Sequence, residues 1–70
     1  MSLIVRERNL GVLKAGKIEF SNENGRLVWS PVSGHFYMLV GTSDFLLDDM
    51  QASTRSEAKR KAVEYLSGTY

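Results

Sequence analysis

No cysteine occurs among the 70 residues of this chain. That excludes a disulfide framework, a cysteine-ligated zinc site and a cysteine nucleophile. Histidine occurs once, at His35, so general-base chemistry falls to His35 or to a carboxylate with a raised pKa. Ser33-Gly34-His35 does not match a nucleophile elbow. Long apolar runs are missing too. Leu3-Ile4-Val5 is ended at once by Arg6-Glu7-Arg8, which is too short for a signal-peptide core or a membrane span. The expectation is a soluble, cytoplasmic protein. No excess of either charge is present: nine basic residues meet eight acidic ones, and a formal charge of +1 gives no reason to expect a polyanionic partner. The glycines are scattered, with no G-x-G-x-x-G or Walker A pattern, so no cofactor is implied.

Seventy residues make one small domain, 1–70. A chain of this size buries only about 60% of the surface its unfolded form exposes. Without a disulfide or metal, its stability rests on the core or on association.

His35-Phe36-Tyr37-Met38-Leu39-Val40 carries the most information. It has the composition of a strand and is apolar on both faces. Alternation puts Phe36, Met38 and Val40 on one face, Tyr37 and Leu39 on the other. Lys17-Ile18-Glu19-Phe20 alternates as a half-buried strand does, and Arg26-Leu27-Val28-Trp29-Ser30 reads as its returning partner. Asn24-Gly25 between them suits a type I′ turn. Leu3–Arg8 is a possible first strand with Leu3 and Val5 inward. Leu10, Val12 and Leu13 read either as a strand or as an apolar loop, and Phe45-Leu46-Leu47 as a short strand or a seated turn.

Thr54-Arg55-Ser56-Glu57 fits a capping box, and Gly68 suits a C-terminal cap, so a helix is expected over about 54–67. At 100° per residue Ala58, Ala62, Tyr65 and Leu66 share a face, and the two alanines permit a close approach to the sheet. On the polar face Lys61 is paired with Glu57 and Arg60 with Glu64. The fold class that follows is α+β: an antiparallel three- or four-stranded β-meander with one C-terminal α-helix packed on one face. The expected core is Phe20, Leu27, Trp29, Phe36, Met38, Val40, Ala58, Ala62 and Leu66.

One helix covers one face of a sheet. The other face, with Val28, Tyr37 and Leu39, needs a cover, either from Leu3–Leu13 or from a partner. The function expected is a small non-enzymatic interaction module that contacts a protein partner or a second copy through a sheet face or edge. The alternative is a nucleic-acid-binding module of the phage or mobile-element accessory type using Arg6, Arg8, Lys17, Arg26 and Arg60. Asp44, Asp48 and Asp49 lack the spacing of a calcium loop and read as turn and solubilising residues, so no metal is expected.

The stretch Thr54–Ala62 resembles the closing helix of several small sheet-plus-helix modules, the arm-binding domains of tyrosine recombinases among them. That resemblance implies reading of DNA by the sheet. Within the preceding strands only Lys17 and Arg26 suit such a role.

Overall fold

The computed structural model describes residues 4–11 and 16–68. Its strands are β1 (Arg6–Asn9), β2 (Ile18–Asn22), β3 (Gly25–Trp29), β4 (His35–Val40) and β5 (Ser43–Gln51), followed by α1 (Arg55–Leu66). They form one sheet in the order β1-β2-β3-β4-β5, with every neighbouring pair antiparallel. The class is α+β, as the alternation and the capping box imply, but the sheet has five strands rather than three or four. The additional strands are those with the weakest alternation.

β1 is polar throughout: Arg6-Glu7-Arg8-Asn9. Its register places Glu7 opposite Phe20, hence on the helix side. There Glu7 accepts from Arg55 Nε at 2.6 Å and lies 4.0 Å from Lys59 Nζ. An ion-pair cluster ties this edge strand to α1, and Val5, just before it, packs against the core as its inward position implies. Arg6–Asn9 therefore continues the sheet instead of crossing its second face. Leu3, Val12 and Leu13 lie outside the described residues.

At the β2–β3 turn Asn22 pairs with Gly25, so the loop residues are Glu23 and Asn24. The Asn24-Gly25 turn expected from composition is displaced by one residue. The reason lies in the two asparagine side chains. Asn22 Oδ1 accepts from the Asn24 amide at 2.7 Å, and the side-chain amides of Asn22 and Asn24 both donate to the Leu66 carbonyl, at 3.1 and 2.7 Å. The hairpin thereby satisfies a carbonyl left unpaired at the helix end.

β5 contains an irregularity that no periodicity reveals. Leu47 pairs with Phe36 and Gln51 with His35, so Asp48, Asp49 and Met50 are additional residues on this strand. The bulge turns Met50 into the core, 1% exposed, and leaves both aspartates outside. The chain then passes Gly34, whose φ is +78°. A Cβ there would sit 2.9 Å from the Ala52 carbonyl oxygen, so the position requires glycine.

The helix starts as expected at one bond and not at the other. Thr54 Oγ1 accepts from the Glu57 amide at 3.2 Å. Glu57 reaches back to the Ser53 amide at 2.8 Å, one residue before the Thr54 amide that a capping box would use. Gly68, at φ +82°, donates to the Tyr65 carbonyl just past the last turn. The helix lies over β2 and β3.

Phe20, Leu27, Trp29, Phe36, Ala58, Ala62 and Leu66 are buried, in agreement with the pattern, together with Ile18, Met50 and Ala52. The Trp29 indole donates to the Ala52 carbonyl at 3.2 Å. Of the other two expected core residues, Met38 is half-buried and packs against the cluster, whereas Val40 is 56% exposed and lies outside it. The helix packs chiefly on β2 and β3, so the tip of the β4–β5 hairpin projects past it with Val40 and Phe45 in water.

Candidate interaction surface

The second face of the sheet follows from the pairings. Directly opposed residues share a face. Arg8, Glu19, Val28, Tyr37 and Leu46 therefore form one row across all five strands. Arg6, Ser21 and Arg26 begin the next row, and Leu39 and Asp44 complete it, one step beyond the Leu27–Met38 pair. No described element lies over this outer face.

Its centre is apolar. Tyr37 and Leu39 are half-buried, and Leu46 is 48% exposed. Val28 departs from expectation: it lies on this face yet is only 6% exposed. Its longer neighbours account for that. Glu19 and Tyr37 flank it in register, and Lys17 Nζ sits 5.5 Å from the Tyr37 ring centroid, a cation–π approach. Val28 supports the patch from below; Tyr37, Leu39 and Leu46 present it. Sequence reasoning missed Leu46 because Phe45-Leu46-Leu47 had no assigned register.

Charge on this face is graded. Arg6, Arg8, Lys17 and Arg26 occupy the β1–β3 side, with Glu19 among them, 3.9 Å from Arg26. Asp44 lies at the β5 edge, followed along that strand by Asp48 and Asp49. Arg60 is separated from these cations. It is on the helix, across the sheet, exposed, and 3.9 Å from Glu57. Lys61 does pair with Glu57, at 3.8 Å. The Ser53 amide, aided by Lys61 and Arg60 and opposed by desolvation, holds the Glu57 carboxyl below its ordinary value.

A shallow groove of about 410 Å³ lies where the β3–β4 turn meets the helix start. Gln51, Ser53, Glu57 and Lys61 line it, and they satisfy one another, with Lys61 Nζ donating to the Gln51 carbonyl at 2.5 Å. His35 is not part of its lining and stands 3.5 Å from the Gln51 side-chain amide. Among the described residues no three His, Asp or Glu side chains converge to hold a metal ion, and no helix is long and apolar enough to cross a membrane. Comparison of the chain with protein-family models, curated proteins and solved structures returned no match.

Proposed function

We propose that this chain is a small, non-enzymatic, cytoplasmic interaction module that contacts protein through the outer face of its sheet. One observation carries the reading. The face is bare of any described element, and its centre is a contiguous apolar patch of Tyr37, Leu39 and Leu46 over Val28. Patches of that kind mark contact surfaces when they are rimmed by polar groups, as this one is by Arg26, Asp44 and Glu19. A face is favoured over an edge. The β5 edge carries three aspartates and a bulge, both of which discourage addition of a further strand.

A second reading is nucleic-acid binding. It is favoured by the common placement of Arg6, Arg8, Lys17 and Arg26 on the same face. Glu19 within that group, Asp44 at its far side and the distant Arg60 weigh against a continuous basic surface.

A photoreactive phenylalanine analogue at position 46, compared with one at the exposed helix position Ser56, tests the reading in the cells that make the protein. Protein adducts at 46 and not at 56 are expected. Nucleic-acid adducts at 46 would transfer the conclusion to the second reading. Equal labelling at both positions would remove the outer face from consideration.

A further inference from the structure

We propose that Asn24 is a site of one-way chemical modification. Its side-chain amide is lost to attack by the Gly25 backbone nitrogen when the β2–β3 turn opens away from α1, and the folded chain holds the reaction back through the Leu66 carbonyl. The inference is independent of the outer face.

Asparagine is a chemically labile residue. The chain has it at Asn9, Asn22 and Asn24, and only Asn24 is followed by glycine. Leu10 and Glu23 put a side chain beside the nitrogen that would attack Asn9 and Asn22; Gly25 puts none beside its own. Asn24 is also exposed, so water reaches it. The reaction needs no partner beyond water. The Gly25 amide nitrogen gives up its proton to hydroxide and bonds to Asn24 Cγ. The Cγ–Nδ2 bond breaks, ammonia leaves, and a cyclic imide closes. Water then opens the imide at either carbonyl. The product is aspartate or, where the backbone is rerouted through the side chain, isoaspartate. Nothing is oxidised or reduced.

In the folded chain both reacting groups are restrained. Asn24 Nδ2 donates to the Leu66 carbonyl at 2.7 Å, and ring closure requires that side chain to swing back over its own peptide. Gly25 is held in the ladder opposite Asn22. The Asn22 amide shares the Leu66 carbonyl at 3.1 Å. Hydrogen bonds of ordinary strength favour the closed arrangement by about tenfold, so the modification proceeds through local opening. It also prevents reclosure. A carboxylate has no N–H to donate, and it meets a carbonyl at the negative end of the helix. Leu66, 3% exposed, belongs to the last turn of α1, which the contact with the hairpin holds against the sheet. Modification at Asn24 therefore loosens the end of α1 permanently.

The test compares the folded chain with the synthetic peptide Ile18–Arg26, the fragment that trypsin releases from it. Both are incubated in mildly alkaline buffer, and the amide-to-acid mass change is assigned between Asn22 and Asn24 by fragmentation. The peptide should react at Asn24 and not at Asn22, and the folded chain about tenfold more slowly. Equal reaction at Asn22 and Asn24 in the peptide would overturn the site. A folded chain that reacts as fast as the peptide would overturn the protection. Asn24→Asp and Asn24→Ala, at an exposed position, then separate the lost donor from the added charge. Amide hydrogen exchange in the last turn of α1 should quicken about tenfold in Asn24→Asp and less in Asn24→Ala, with Trp29 emission unchanged. Exchange in Asn24→Asp as slow as in the wild type would overturn the loosening of the helix end.

Discussion

Replacing Phe36 with alanine separates the two faces of β4. Phe36 is fully buried, set between Trp29 on β3 and Leu47 on β5 and enclosed by the cluster that includes Phe20 and Met50. Removing a buried phenylalanine costs about 3–5 kcal/mol, the lost transfer free energy plus the cavity left behind. A chain of this length has a total stability of roughly 3.5–10 kcal/mol. The variant should therefore be largely unfolded, or retain only a shallow folded baseline. Trp29 is the one tryptophan and is 3% exposed, so its emission reports urea unfolding without an added label. Tyr37, the next residue, is half-buried on the outer face, and Tyr37→Ala should cost well under half as much. If Phe36→Ala leaves too little folded protein to titrate, Phe36→Leu gives a milder shift of the urea midpoint at unchanged slope. A small cost at 36 with a large one at 37 would mean that the strand faces are exchanged, and with them the whole outer-face argument.

Gly34→Ala should destabilise by about 1–3 kcal/mol in the same titration, because a positive φ and a contact with the Ala52 carbonyl oxygen both oppose a Cβ. Glu7→Ala should cost about 1 kcal/mol or less, since Arg55 and Lys59 are mostly exposed, and the loss should shrink in high salt; faster hydrogen exchange confined to β1 is the accompanying sign. Glu57 has a folded-state pKa below its ordinary 4.5, so its contribution is fully present above that value and is lost as pH falls through the lower folded value. Glu57→Gln should accordingly flatten that part of the acid limb of a melting-temperature profile, and an unchanged limb would refute the Ser53 contact as its cause.

The parts of the fold that are regular were legible in the sequence. Alternation through Ile18–Phe20, Leu27–Trp29 and Phe36–Met38 gave the correct faces, because each strand is half-buried and a slip of one residue would expose its core side. The capping box located α1 for the same reason that it stabilises the helix there. What stayed hidden depends on tertiary contacts. β1 has no apolar alternation and is held through Glu7 by two cations some 50 positions later in the chain. Met50 is buried only because a bulge breaks the period-2 pattern. Val40 matches a core position, but the helix packs chiefly on β2 and β3 and leaves it in water. On the outer face, Tyr37 and Leu39 were placed by alternation alone, whereas Leu46 and the graded charge needed the registers of β1 and β5.

The most direct test of the outer face as a contact surface is a set of methyl spectra recorded at rising concentration of the chain, alone and with lysate of the cells that make it. Leu39 and Leu46 methyl resonances should shift or broaden as the concentration rises or the lysate is added, while those of Val40 beyond the helix and Val63 on the helix stay fixed. Fixed resonances at Leu39 and Leu46 up to the solubility limit and in lysate, or changes confined to Val40 and Val63, would contradict the account.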